Sequence, residues 1–553
     1  MNQIPQPSMP QPPVPQGMYM APPPAPKPKK PVFDLTKRDA VFTVLAICIG
    51  IFASAFGICQ SFFLGIGLTV VFTLLLFSLY LAPGKKASLG AWLYGLLSLG
   101  TSAIFITTTN PEIRVIGLLV GCFLALTCFY EIGVGKPKGN RETVGIFYNA
   151  ACSLTNIGVS VKSLFQSKKG DKKIFGKVLL GLVCALPVVA LVLALLMASD
   201  DAFRGMMEQL FENTFETILK CILGLGIALL MLAHGFSLRF GRTSKMKDST
   251  VKGIDTVYVV SFLGAVGICY VLYLFSQLAY FFDAFQGFLP QGITTSQYAR
   301  QGFFEMCIIA LINLTLVLLT FLFTKKKEGK ISPLVKGVAT FIGAFTLLII
   351  ATALSKMVLY IGEYGMTVLR ITTSTFMVFT AIVFLSVILR IYSPKINVVK
   401  TALAAAGCLI ILMGTVNVNG ICAKYNYHRY INNPTLGIDT QALYDLGDEG
   451  IPYLVALAEN DPDYGREAMT YLANAYLCDY FEDMRYKDDF TLEELKQNQK
   501  HKEFGYFSIP KQRAYNSLYE FVENNSNFPS LCQEYANYYG RSFSLWEELF
   551  FPF

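Results

Sequence analysis

Charge is scarce in this chain. Asp, Glu, Lys and Arg make up only 15% of its 553 residues, where a soluble domain carries about 25%. Apolar residues reach 53% and the mean hydropathy is +0.47, so the deficit excludes a soluble protein. Histidine is scarcer still, with only His234, His428 and His501. The 13 cysteines form no C-x-x-C pair. Most lie in apolar runs, where cysteine behaves as a small buried hydrophobe. Without ligand spacing, a structural zinc centre has no support, and no metal or other cofactor is expected. The phosphate-binding loop, the dinucleotide fingerprint and the G-x-S-x-G elbow are also missing. Nothing points to nucleotide-driven transport or to a nucleic-acid partner. No internal repeat is visible, so an inverted-repeat transporter has no sequence support either.

What the chain has instead is long apolar runs. Stretches near 20 residues are membrane-helix candidates. They fall at 40–60, 62–82, 89–109, 113–133, 175–198, 216–237, 255–281, 303–324, 334–361, 367–391 and 400–418, eleven in all. The stretch 143–166 is less apolar, holds Asn149, Asn156 and Lys162, and is expected to lie on the membrane surface. Before them, residues 1–31 hold 12 of the 25 prolines, a composition that buries no core. This tail is expected to be a solvated tether, or a docking segment for a polyproline-binding partner in the cytoplasm. It does not have the layout of a cleavable signal peptide.

The connecting segments alternate in charge. Lys85 and Lys86, then Lys136, Lys138 and Arg141, then Arg239 and Lys245, then Lys325 to Lys327, then Arg390 and Lys395 fall in every second gap. The gaps between are poor in Lys and often acidic, with Asp200, Asp201, Asp283 and Glu363. Because cytoplasmic loops are rich in Lys and Arg, the N-terminus is expected inside and the C-terminus outside. Residues 1–420 carry a balance of +18 and residues 421–553 a balance of −10. The predicted organisation is a disordered cytoplasmic tail over 1–38, a membrane domain over 39–420 and an acidic helical extracytoplasmic domain over 421–553. In that last part, two short helices are expected to break at Gly447, with Asp448 capping the second and Pro452 near its start. Further helices are expected over 466–482 and 510–522. The predicted fold class is all-α, a polytopic membrane helix bundle with a C-terminal helical domain. The bilayer is its first partner, and the oligomeric state is left open.

Three charged motifs fall at the expected outer ends of spans. They are Ser199-Asp200-Asp201, Tyr298 to Glu305 with Arg300, and Lys356 through Tyr360 and Glu363 to Arg370. Lys356, Tyr360 and Glu363 share a helix face by their spacing. Ionisable groups at the bilayer centre cost about 2.5–3.5 kcal/mol each on insertion scales, so these groups are expected to face protein or water. Asp200, Asp201, Arg300, Glu305, Lys356, Glu363 and Arg370 form the candidate cluster. One reading makes it a lock between helices, through pairs such as Arg300–Glu305 and Glu363–Arg370. The other makes it a ligand vestibule. No catalytic residue is assigned. Gly117 and Gly121 read as a close-packing device, Pro187 as a kink in the fifth span, and His234 as an interfacial side chain.

Several motifs carry a resemblance. They are Leu186-Pro187 through Ser199-Asp200-Asp201-Ala202-Phe203, Tyr298 to Glu305, and Tyr360 to Thr367 with Arg370. With them go Asn417 to Ile421 with Asn426, Arg429 and Tyr430, then Tyr444 to Asp448 and Pro452. Over roughly 175–525 the chain resembles a bacterial multi-pass membrane family catalogued as domain of unknown function number four thousand one hundred and seventy-three. The resemblance implies a bacterial cytoplasmic membrane protein and no activity. Ser199-Asp200-Asp201 stands where that family has Ala before a single Asp, and Val418-Asn419 where it has Pro-Asp. The functional expectation is a non-enzymatic envelope sensor or scaffold that binds a ligand or partner at its outer face. The alternatives are a small-solute permease and, after it, a membrane enzyme acting on a lipid-linked substrate.

Overall fold

The computed structural model describes residues 36–59, 63–83, 88–136, 140–165, 214–241, 253–286, 295–325, 331–475, 508–525 and 528. Among them helix dominates, and the only β-type pairing is an isolated bridge between Ile254 and Thr324. This follows from the apolar runs, since a backbone in lipid must satisfy its own hydrogen bonds. In chain order the membrane part has α1 (Lys37–Phe52, extended by a π-helical turn), α2 (Phe63–Leu81), α3 (Leu89–Thr107) and α4 (Pro111–Gly133). Then come α5 (Asn140–Cys152), a 3-10 turn, α6 (Ile157–Phe165), α7 (Thr214–Arg239), α8 (Thr256–Gln286) and α9 (Thr295–Phe323). It closes with α10 (Pro333–Tyr364), α11 (Val368–Tyr392) and α12 (Val398–Thr415). Polar side chains set the starts: Ser88, Asn110, Thr367 and Asn397 each accept a backbone N–H from the first turn they precede.

Eleven described stretches are long and apolar enough to cross a membrane. Ten of them coincide with expected spans. The expected span at 175–198 lies outside the described residues, as does Pro187. The eleventh is Thr143–Val161, where a surface helix is expected, and its contacts favour the surface. Thr143 accepts from Asn397 at 2.7 Å, at the start of α12. Asn156 donates to Ser237 at 2.9 Å, near the end of α7. Both partners sit at the Lys-rich ends of their helices, so Thr143 and Asn156 meet the same face of the bundle. A spanning helix would separate these two positions by about 20 Å in depth.

Among the described residues, two ion pairs with buried carboxylates and mostly buried cations tie the helix ends on that basic face. Arg239 pairs with Asp39, whose carboxylate also accepts the Tyr80 hydroxyl at 2.7 Å. This joins α1, α2 and α7. Lys400 pairs with Glu131, which also accepts from Ser88, joining α3, α4 and α12. His234, expected at the interface, is buried instead. Its Nδ1 lies 3.1 Å from the Ser153 hydroxyl, which donates to the Asn149 carbonyl at 2.9 Å. The surface helix covers it, which the α7 sequence alone could not reveal.

The described spans form two groups. In one, α1–α4, α7 and α12 pack together around Phe42, Phe77, Tyr80, Phe129 and Phe236. Gly121 belongs here, and a Cβ on it would stand 2.3 Å from the Thr101 hydroxyl, the close approach expected of the glycine pair. In the other, α8–α11 pack around Met306, Phe345, Ile349 and Phe384. Apolar contact gives little drive to association within lipid, so polar ties matter. Here Tyr270 donates to Asn313 at 2.6 Å, Asn313 to Thr346 at 2.9 Å, and Thr346 to the Ile342 carbonyl. That chain is satisfied end to end. The two groups meet where α11 packs against α12.

Beyond α12 the chain forms α13 (Val418–Asn432), α14 (Thr440–Tyr444), a 3-10 turn (Gly447–Glu449), α15 (Ile451–Asn460), α16 (Gly465–Ala475) and α17 (Ile509–Asn524). The helices break near Gly447, whose φ is +68°. Asp448, expected as the cap of α15, lies in the 3-10 turn, and Gly450 takes the cap position. The core of these helices runs on into the membrane part: Ile104, Ile113, Ile410 and Met413 join Leu443, Leu454, Leu472, Leu518 and Phe521 in one apolar cluster.

Candidate functional site

The site is built on α13, at the face opposite the buried ion pairs. Asn417 adopts a left-handed conformation, φ +55°, and accepts the Gly420 N–H. That turn breaks α12 from α13 and starts a new direction. One face of α13 carries Val418, Asn419, Cys422, Ala423 and Tyr430, all buried.

At its first turn α13 grips the α3–α4 connection. Asn110 donates to Asn419 at 3.0 Å, and Asn419 donates to the Leu446 carbonyl at 3.0 Å. Glu449, 5% exposed, accepts the Thr109 hydroxyl at 2.7 Å and the Thr109 N–H at 3.3 Å. Arg114 is buried close by, donates to the Phe105 carbonyl at 3.3 Å, and lies in electrostatic reach of Glu449 and Asp448. Burial pushes the Glu449 carboxyl up, against the opposing hydrogen bonds from Thr109.

Two turns later α13 grips the α10–α11 connection. Asn426 accepts the Met366 N–H at 2.8 Å and donates to the Met366 carbonyl at 2.7 Å. Arg429 donates to the Glu363 carbonyl at 2.6 Å. Gly365 allows this approach twice over. Its φ is +82°, and a Cβ there would stand 2.7 Å from the Asn426 side-chain oxygen Oδ1. Tyr430 then donates to Asp461 at 2.7 Å, which fixes α13 to the α15–α16 turn. That bond, above the effect of burial, pushes the Tyr430 hydroxyl up to about 12. Asp461 is raised by burial, but the Tyr464 N–H, the Tyr430 hydroxyl and the Asp463 N–H outweigh this and hold it below the ordinary carboxylate value.

The candidate charges divide among several places. Asp200 and Asp201 lie outside the described residues. Arg300 is exposed on α9, while Glu305 accepts from Gln301 at 2.8 Å. Lys356 of α10 packs against Gly302 of α9 and lies in electrostatic reach of Glu305. Arg370 donates to the Gly365 carbonyl and lies 4.0 Å from the Tyr360 ring centroid. Glu305 and Lys356 therefore feel each other's charge across α9 and α10. Tyr360, Glu363 and Arg370 join the α13 junction, with Glu363 engaged there through its backbone carbonyl. Asn110, Thr109, Arg114, Asn419 and Glu449 were not among the candidates. Uncharged amides in turns give little signal, and the partner of Glu449 lies 340 residues away. Asn419, Asn426, Arg429 and Tyr430 did stand in the motifs that carry the family resemblance. Among the described residues no cluster of three His, Cys, Asp or Glu could hold a metal ion.

No curated protein and no solved structure matches this chain. A family model, described as a domain of unknown function (DUF4153), matches residues 40–457. It is not the differently numbered family that the motifs resemble, although both are uncharacterised. The match runs from α1 through most of α15 and so takes in all the described membrane spans, the first from its fourth residue on, together with α13. This multi-pass membrane protein belongs to the DUF4153 family.

Proposed function

We propose that this protein is a non-enzymatic membrane sensor or scaffold. Its helical C-terminal part binds a ligand or partner outside the membrane, and α13 passes that event to the two groups of spans. The observation that carries this reading is the double grip of α13. Asn419 holds the α3–α4 turn of one group, and Asn426 with Arg429 holds the α10–α11 turn of the other. A tilt of α13 would move one group against the other. The lysine asymmetry of the connecting segments supports a cytoplasmic basic face and an extracytoplasmic C-terminal part. The pairing of polar groups at the junction supports binding and transmission over chemistry, because the amides there bond to backbone and to one another.

Spin labels at positions 136 and 325 test it. Both are exposed on the basic face, at the ends of α4 and α9. In nanodiscs, Asn426→Ala is expected to shift or broaden the distance distribution between them. An unchanged distribution overturns the reading, because cutting the grip on one group would then leave the groups where they were.

A further inference from the structure

The outward face of α13 has no role in the double grip. Ile421, Lys424, Tyr425, His428 and Ile431 are all exposed, and their spacing of three, four, seven and ten residues places them on one helical stripe. Ile421 is 37% exposed, Tyr425 36% and Ile431 49%, while the opposite face is buried in the junction. Two observations say what covers the stripe. The first is continuity. Leu412, in the last turn of α12, and Val416, the residue that caps it, are 56% and 45% exposed. On a membrane span such side chains face lipid, and the stripe begins five residues beyond Val416. On the neighbouring turn that Asn426 grips, Tyr364 and Leu369 are also exposed, so apolar side chains stand open on both elements of the junction. The second is charge. From Val398 to Ile438 the chain has no Asp or Glu, only Lys400, Lys424 and Arg429. This basic stretch opens an otherwise acidic C-terminal part.

We propose that the outward stripe of α13 seats on the lipid surface. Ile421, Tyr425 and Ile431 lie at the boundary of headgroups and acyl chains, and the Lys424 ammonium sits on a lipid phosphate. An interfacial helix of this kind buries an apolar face shallowly and gains from anionic lipid, and tyrosine is enriched at that depth. The inference deepens the reading of α13 as a transmitting helix by naming the lipid surface as one partner of the same element. Contact with lipid is measured separately from transmission, so either can fail alone.

The test places an indole on the stripe. Tyr425→Trp is made in a background where Trp92→Phe and Trp546→Phe remove the native indoles, and the full chain is reconstituted in nanodiscs. Lipids brominated near the headgroup are expected to quench most of the emission, and aqueous iodide little of it. Ile431→Trp reports from the other end of the stripe and should behave alike. Quenching by iodide with no effect of brominated lipid overturns the proposal, since the stripe then faces water. Protection from both quenchers overturns it too, since a protein surface, such as a second copy, then covers the stripe. In nanodiscs containing phosphatidylglycerol, Lys424→Gln is expected to weaken local enrichment of the anionic lipid about five-fold, the roughly 1 kcal/mol of one lysine near such a surface. Unchanged enrichment would remove Lys424 from the phosphate contact and overturn that half of the proposal.

Discussion

Glu449 is the residue where the junction meets pH. Burial raises its carboxyl above the ordinary value, so it binds its proton more tightly in the docked state than when free. Its contribution is therefore fully present below the unfolded pKa and is lost as pH rises through the raised one. Glu449→Gln keeps an acceptor for Thr109 and removes the titration. After correction for intrinsic exchange, protection of the Thr109 amide is expected to fall with rising pH in the parent and to stay level in Glu449→Gln. Equally level profiles would show that Glu449 is not linked to docking. Asp461 has the opposite sign: its pKa is depressed, so its contribution is present above the unfolded value and lost as pH falls through the folded one. Gly365 makes a sharper case. Gly365→Ala forces a side chain into φ +82° and against Asn426, at a cost of about 1–3 kcal/mol for the backbone alone. A clear drop in thermal stability in detergent is expected, and an unchanged midpoint would contradict the tight α10–α11 turn.

At the scale of elements, α13 depends on an amide that both donates and accepts. Asn426→Ala leaves the Met366 N–H and C=O without partners, a loss of about 1–3 kcal/mol. Asn426→Asp restores the acceptor but sets a carboxylate oxygen against the Met366 carbonyl, so it should rescue little. If Asn426→Asp were as stable as the parent, the donated bond would carry no weight. The helix at Thr143–Val161 offers a test of depth. Spin labels at positions 144 and 154, both exposed, are expected to read similar depths in the bilayer. A spanning helix would place them about 15 Å apart.

For the whole molecule, the basic face is held by ion pairs and the opposite face by amides, the Arg429 guanidinium on a backbone carbonyl, and the carboxylates of Glu449 and Asp461. Glu131→Gln leaves Lys400 buried without its counter-charge and is expected to cost about 3–5 kcal/mol, read as a large fall in the unfolding midpoint. A small change would mean that the pair is hydrated. A cytoplasmic basic face predicts that an impermeant thiol reagent in intact cells labels a cysteine at position 439 and spares one at 395. The reverse pattern would invert the protein in its membrane.

Much of the architecture was legible because lipid leaves the backbone few options. Among the described residues, apolar runs of sufficient length are helices, with basic residues at one end of them, and the Gly117–Gly121 spacing is a close contact. The motifs around Asn417, Asn426 and Arg429 carried a family resemblance but no sign of what they touch, and only the geometry shows them forming the junction. Partners were not legible. Arg370 could be expected to pair with Glu363, yet its guanidinium meets a backbone carbonyl and the Tyr360 ring. His234 could be expected at the interface, yet the helix through Ser153 buries it. The sequence determined what depends on local composition: which segments enter the membrane, where they start, and which face carries the lysines. Only the tertiary structure decided which distant turns α13 holds together, because hydrogen bonds such as Asn110–Asn419 join residues whose separation leaves no periodic trace in the chain.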